Sequence, residues 1–171
     1  MTRFALAAVA AALLSTSAFA GEQYVNKTGF ANSGYDVVAY FDLAQAPVGS
    51  EQPKAVAGST KYTAEYNGAK FAFANAENLA KFQSNPAQYA PQYDGHCAYG
   101  VAQGGKVPGN PHLWRILDGK LYLNITPNVV SFWEEDIPGN LNKSETNWSG
   151  IEGEPASEMA IPKFEPSAPQ T

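Results

Sequence analysis

The residues in this sequence that are best suited to chemistry are one cysteine and two histidines. His96 and Cys97 are adjacent, His112 follows a short distance on, and the chain has no other cysteine or histidine. Thiolate and imidazole together suit Cu(I), Zn²⁺ and similar soft or borderline metals. The sequence therefore predicts a soft transition-metal site, for copper rather than zinc, built from Cys97 with His96 or His112.

Two other roles for Cys97 stay open. In the first, the thiol is a small buried hydrophobe, and the chain is a non-catalytic module that binds a protein or small ligand on its glycine-rich aromatic segment 89–99. In the second, Cys97 is an enzyme nucleophile at a helix N-terminus, where its pKa falls. His112 would then act as base, and Asp94 or Asp118 would orient it. Because the spacing matches no known nucleophile motif, an enzyme is the less favoured reading.

Composition limits the class of protein. The chain has 171 residues, with 11 Lys and Arg against 16 Asp and Glu, a net charge of −5 and 44% hydrophobic residues. This length favours one globular domain. The acidic balance, without a cluster of Lys and Arg, disfavours a nucleic-acid partner. A single cysteine cannot form an intramolecular disulfide, so core burial must hold the fold.

The first twenty residues resemble an export signal. Arg3 is followed by an apolar run from Phe4 to Leu14, and the segment ends in Ala18-Phe19-Ala20. This order is typical of a secretory signal peptide cleaved after Ala20, and the run is too short for a membrane span. We therefore expect a periplasmic or secreted protein whose partner is a metal ion or another periplasmic protein, with no nucleic acid and no transmembrane segment after cleavage.

Two β-hairpins are the clearest local features. Asn67-Gly68 separates residues 61–66 from 69–73, and Asp118-Gly119 separates residues 113–117 from 120–123. Both dipeptides favour the positive φ angles of a type I′ turn. Between and after them the sequence predicts short helices, so we expect an α+β fold: a small antiparallel sheet from two β-hairpins packed with short helices.

Capping residues and prolines place the helices. Asn75 and Thr126 are expected to cap two of them, and Pro138-Gly139 is expected to end the second. A last short helix is expected to carry Leu141 and Trp148 inward. The predicted organisation is a signal peptide (1–20), an extended N-terminal arm (21–33), one domain (34–148) and a flexible proline-rich tail (149–171), which has too few large apolar residues to order itself.

The order of several motifs resembles the YHS-domain family. The matching stretches are 66–75 with its Asn-Gly turn and aromatic strand, the closing Asn85-Pro86-Ala87-Gln88-Tyr89, and then residues 34–41, 95–98 and 118–124, which are similar to an exported branch of that family. The resemblance implies a small α+β module of a kind often associated with copper and heavy-metal handling.

The family's metal-associated members carry two cysteines that this chain lacks. Tyr35-Asp36-Val37 and Ala74-Asn75-Ala76 occupy the corresponding places. A metal site on this chain is therefore expected at His96 and Cys97 instead.

Overall fold

The two predicted hairpins form at the predicted turns. The computed structural model describes residues 21–171, so the expected signal peptide lies outside the described residues. Strands β1 (Ser59–Tyr66) and β2 (Ala69–Phe73) are antiparallel, and Asn67 and Gly68 between them have φ angles of 47° and 73°. These are the left-handed angles of a type I′ turn, which matches the twist of the flanking strands.

The second hairpin repeats this design. Strands β3 (Asn110–Leu117) and β4 (Lys120–Asn124) are antiparallel, with φ angles of 49° at Asp118 and 72° at Gly119. The two hairpins are separate two-stranded sheets. With the helices around them, they confirm the small α+β fold.

Residues 21–171 also contain five α-helices, and local signals set most of their ends. They are α1 (Ala76–Ser84), α2 (Pro86–Tyr89), α3 (Ala98–Ala102), α4 (Pro127–Glu134) and α5 (Ile137–Ile151). The predicted caps are confirmed: Asn75 accepts a hydrogen bond from the backbone N–H of Asn78, and Thr126 accepts one from Val129. Short 3-10 helices cover Asn32–Gly34, Ala39–Asp42 and Gln92–Gly95.

The prediction that Pro138-Gly139 ends a helix is wrong. Helix α4 already ends at Glu134, and Pro138 lies in the first turn of α5, whose N-cap Asp136 accepts a hydrogen bond from the backbone N–H of Gly139. A first-turn proline has no intrahelical N–H bond to lose, so it can begin a helix. The last helix is consequently longer than expected, although Leu141 and Trp148 do point inward.

Two hydrophobic clusters hold these elements together. The larger one joins both hairpins to α1, with Phe82 packed on Phe71 and Phe73 at ring-centroid distances of 5.0 and 4.9 Å. The smaller one lies between α3, α4, α5 and β4 and contains Tyr93, Tyr122 and Trp133. His96, Cys97 and Ala98 are fully buried, and Ala98 belongs to the smaller cluster.

The predicted arm and the predicted tail both have residues buried against the rest of the fold. In the arm, Gln23 and Tyr24 are buried. In the tail, Ile161 and Ala168 are buried, and Gln170 donates a backbone hydrogen bond to Gly58 and accepts one from Thr60. A segment poor in apolar residues cannot fold alone, but a few anchors and backbone bonds suffice to hold it on an existing surface. No helix within residues 21–171 has the length and apolarity to cross a membrane.

Candidate functional site

The Cys97 thiol is held by hydrogen bonds at the start of α3. Cys97 is fully buried at the N-cap of α3, its thiol donates to Asn124 Oδ1 at 3.3 Å, and its sulfur accepts from the Gly100 N–H at 3.3 Å. The same Asn124 oxygen accepts from the Tyr99 N–H. Cys97 therefore helps to fix the orientation of the Asn124 amide.

The predicted helix N-terminus at Cys97 is confirmed, but it does not activate the thiol. Burial raises the pKa of Cys97, and this outweighs the opposing effect of the hydrogen bond from Gly100. The expected base is elsewhere, because the His112 imidazole contacts Tyr35, Phe164 and Ala55. The geometry of a Cys97 nucleophile with His112 as base is thus not formed, nor do Asp94 and Asp118 orient His112.

His96 has both ring nitrogens engaged by the backbone. Its Nδ1 donates to the Tyr93 carbonyl at 2.9 Å, and its Nε2 accepts from the Ser157 N–H at 3.1 Å. This pairing fixes the neutral imidazole with the proton on Nδ1. Burial lowers the pKa of His96 to about 4. His96 therefore joins residues 93 and 157, from distant parts of the chain.

The buried state of His96 predicts its titration. We expect its imidazole signals to titrate near the pKa of about 4, and those of His112, whose pKa burial also lowers, below 6.5. The unfolded chain takes up a proton on His96 near pH 6.5 while the folded chain does not, so stability falls between pH 6.5 and 4, by up to about 1.4 kcal/mol per pH unit.

The measurement is a ¹H–¹³C NMR pH titration, which is simple because the chain has 2 histidines. A His112→Gln variant assigns the remaining imidazole to His96. Titration of that imidazole at pH 6 or above contradicts the buried neutral state.

The three residues expected to bind copper do not converge. His96 and Cys97 are neighbours in sequence, but each side chain bonds to its own protein partners, and His112 Nδ1 accepts from the Ala55 N–H. Within residues 21–171, no group of three or more His, Cys, Asp or Glu side chains is placed to hold a metal ion. The donor set present does not fit a copper or zinc site without rearrangement.

The aromatic segment 89–99 is not a free binding surface either. Tyr93 is buried in the smaller core cluster and Ala90, Pro91 and Gly95–Ala98 are also buried. A cleft lies elsewhere on the fold. Its volume is about 780 Å³, within the range typical of small-molecule sites. Its walls are the loop 49–54, strand β3, the start of α4 and residues 162–164.

In each of three neutral side chains of the cleft, one atom already accepts a hydrogen bond and a nitrogen that could donate one has no partner in the described part of the chain. His112 Nδ1 accepts from Ala55, Asn110 Oδ1 accepts from the His112 N–H, and Asn124 Oδ1 accepts from Cys97 and Tyr99. Their remaining nitrogens, His112 Nε2 and the two amide Nδ2 atoms, then act as donors. None of these three nitrogens is hydrogen-bonded to another residue of the described chain.

The cleft also holds a buried donor and two cations. Trp133 is 1% exposed, and its indole N–H finds no acceptor among residues 21–171. Lys54 and Lys163 lie on the rim. The carboxylates nearby are already used: Glu51 pairs with Lys54, and Glu134 pairs with Arg115. The cleft therefore contains four nitrogens with no acceptor among the described residues, those of His112, Asn110, Asn124 and Trp133.

Sequence reasoning missed most of these residues. A run of acidic residues such as Glu134-Glu135-Asp136 is typical of a solvated helix face, yet the Glu134 side chain is 6% exposed and binds Arg115. Asn110 and Trp133 carry no motif, and the matching stretch 118–124 does not mark its last residue, Asn124, as functional. The available signal was Arg115 inside an otherwise apolar strand, which requires a partner when the strand is buried.

The comparisons with known proteins identify no relative. No family model, curated protein or solved structure matches the chain.

Proposed function

We propose that this chain is an exported, YHS-like, non-catalytic module that binds a small carboxylate with an apolar body in the cleft. The observation that carries the proposal is the donor surplus: His112, Asn110 and Asn124 each present a donor whose companion acceptor is already bonded. A ligand that supplies acceptors would satisfy these groups. Export is supported by the signal-like first twenty residues, and the YHS relationship by motif order.

We infer the apolar part of the ligand from the apolar side chains that also line the cleft. Trp114, Ile125, Val130 and Phe164 lie on the same cleft, and the ring of Phe164 packs edge-on against His112 at 5.7 Å. Burying the ligand's apolar body against such side chains contributes about 25 cal/mol per Å² of area removed from water. Donors and cations would orient the carboxylate, and aromatic and aliphatic groups would hold the remainder.

Binding of phenylacetate tests this proposal. We expect saturable binding to the full chain by calorimetry, with a change in tryptophan fluorescence because Trp114 and Trp133 line the cleft. Phenylacetamide, which has the same body without the charge, should bind at least about tenfold more weakly, because hydrogen bonds to a charged acceptor are roughly twice as strong. Absence of phenylacetate binding, or equal affinity for both compounds, would count against the proposal.

An isosteric substitution locates the site. Asn110→Asp keeps the oxygen that accepts from the His112 N–H but replaces the free donor with negative charge, so affinity for phenylacetate should fall by about tenfold or more. Asn142→Asp makes the same change on an exposed position of α5 and should leave affinity unchanged. An equal effect of the two substitutions would place binding outside the cleft.

Titration with Cu(I) and Zn²⁺ distinguishes a metal-binding function from the proposed carboxylate binding. Because Cys97 and His96 already have protein partners, we expect neither metal to raise the melting temperature. Stoichiometric Cu(I) binding that disappears in Cys97→Ala would overturn the proposal in favour of a metal-handling function.

A further inference from the structure

The carboxylate of Asp94 lacks a partner on one side. Asp94 Oδ1 accepts from Gln23 Nε2 at 2.5 Å, whereas Oδ2 is buried and has no hydrogen-bond partner among the described residues. Asp94 is held there by a left-handed backbone with φ of 53° and by the bond from the Tyr24 N–H to its carbonyl. A buried carboxylate oxygen without a hydrogen-bond partner destabilises the fold. The groups around this oxygen therefore indicate which partner it could bind.

Gly21 lies directly against this oxygen. A Cβ atom on Gly21 would lie 2.1 Å from Asp94 Oδ2 and 2.7 Å from the carbonyl oxygen of Glu152, so a side chain at position 21 cannot be accommodated without movement. The nitrogen of a residue lies about 2.5 Å from its own Cβ. The Gly21 nitrogen is therefore within about 4.6 Å of Asp94 Oδ2, close to the distance of an ion pair.

The present neighbours do not supply the missing positive charge. Lys106 lies nearby, but its ammonium donates to the carbonyl oxygens of Glu152 and Glu154 and covers the Trp148 ring. Glu152 adds negative charge. Burial first and Glu152 second raise the pKa of Asp94 to about 6, and Lys106 lowers it only in part. The site is thus short of one cation.

We propose that removal of residues 1–20 creates this cation: the new α-ammonium of Gly21 docks on Asp94 Oδ2 as a partly buried ion pair. A signal peptidase with water as co-reactant breaks the Ala20–Gly21 peptide bond. The water oxygen bonds to the Ala20 carbonyl carbon, and the Gly21 nitrogen becomes a protonated amine. The uncharged amide of the precursor is converted into the charge that Asp94 lacks.

Docking would fasten three separate segments at one point. The arm already contacts the loop Gln92–Gly95 through the Tyr24 N–H bond to Asp94. It also contacts the C-terminal segment, because Glu22 accepts from the Ala156 N–H and the Tyr24 hydroxyl donates to the Met159 carbonyl. An ion pair at Gly21 would stabilise this junction, so the processed chain should be more stable than one that retains preceding residues.

Two chains that differ by one native residue test the inference. Residues 21–171 contain both core clusters, so a chain beginning at Gly21 contains the whole described fold. A chain beginning at Ala20 contains the same residues but carries its α-amine on the residue before Gly21. We expect its folded-to-unfolded ratio in urea to be about tenfold lower, as for loss of a partly buried ion pair. In an Asp94→Asn background the same comparison should give less than a twofold difference.

The reactivity of the amine gives a second readout that does not depend on stability. An α-amine paired with a carboxylate holds its proton more strongly, so carbamylation of Gly21 by cyanate should be about tenfold slower in the native chain than in Asp94→Asn. Equal stability of the Gly21 and Ala20 chains together with equal carbamylation rates would overturn the pairing.

The inference rests on the proposed processing and not on the proposed ligand. Mass spectrometry of the exported protein tests the cleavage: an N-terminus at Gly21 supports it, and an intact segment 1–20 refutes the processing part alone. The paired chains still decide whether Asp94 binds an α-ammonium, and phenylacetate binding decides the function of the cleft separately.

Discussion

Replacing Asp36 with asparagine is expected to lower the free energy of unfolding by about 3 kcal/mol. Asp36 is fully buried. Its Oδ1 accepts from the N–H groups of Val38 and Ala39, and its Oδ2 accepts from the Ala74 N–H and from Asn78 Nδ2, at 2.7 to 3.2 Å. An asparagine must place an NH₂ group where one carboxylate oxygen stood, so a donor faces two donors.

The matched control is Asp118→Asn. It makes the same chemical change at an exposed hairpin turn with φ of 49°, where asparagine is favoured, and its effect should stay within about 0.5 kcal/mol. Urea unfolding at pH 7 compares the two variants. A loss below 1 kcal/mol for Asp36→Asn would mean that the surrounding donors rearrange or find water.

Loss of the Asp36 hydrogen bonds should also affect the cleft. Asp36 ties the 3-10 helix Ala39–Asp42 to the end of β2 and to α1. The preceding Tyr35 packs edge-on against His112 at 4.8 Å. Weakening the Asp36 bonds should therefore loosen a wall of the ligand site, so phenylacetate affinity should also fall in this variant. The bonds of Asp36 to Ala74 and Asn78 join residues far apart in the chain, so no local sequence pattern predicts them.

The parts of the fold that depend on neighbouring residues could be predicted from the sequence. The turns at Asn67-Gly68 and Asp118-Gly119 follow from φ preferences, and the caps at Asn75 and Thr126 follow from side chains that reach a backbone N–H three residues on. Pro138 shows the limit of local reasoning, because proline is compatible both with the end of one helix and with the first turn of the next.

The candidate site could not be predicted in this way, because distant contacts determine it. Residue type alone drew attention to Cys97, His96 and His112. Their chemistry depends on partners far along the chain, at Asn124, Ser157 and Ala55. Each such partner occupies an atom that a metal or a proton transfer would need. A cysteine and a histidine that are adjacent in sequence therefore say little about a site until their partners are known.

The second large effect is expected when the buried ion pair of Arg115 and Glu134 is broken from one side. Their side chains are 5% and 6% exposed, and Glu134 accepts from both Nε and Nη2 of Arg115. Glu134→Ala leaves a buried guanidinium without its counter-charge and should cost about 3 to 5 kcal/mol. Glu135→Ala, on the exposed neighbouring residue, should cost less than about 0.5 kcal/mol.

The pair also positions the loop that forms one wall of the cleft. Arg115 Nη1 donates to the Ala46 carbonyl at 3.1 Å, and Glu134 Oε2 accepts from the Gly49 N–H at 2.7 Å. Losing Glu134 should therefore free the segment around Gly49, and its backbone amides should exchange with solvent faster. Because both charges are shielded from water, 0.5 M salt should change the effect little, in contrast to a surface pair.

A double-mutant cycle separates the interaction from the general cost of substitution. Arg115→Met removes the other charge, and the double variant Arg115→Met/Glu134→Ala leaves neither charge unpaired. We expect the double variant to be more stable than the sum of the single effects predicts, with a coupling of about 2 to 3 kcal/mol measured by urea unfolding. Additive effects would show that the two side chains are solvated independently and that β3 and α4 are held together by apolar packing alone. A coupling of the expected size would instead make this ion pair the link that fixes the cleft loop to both elements.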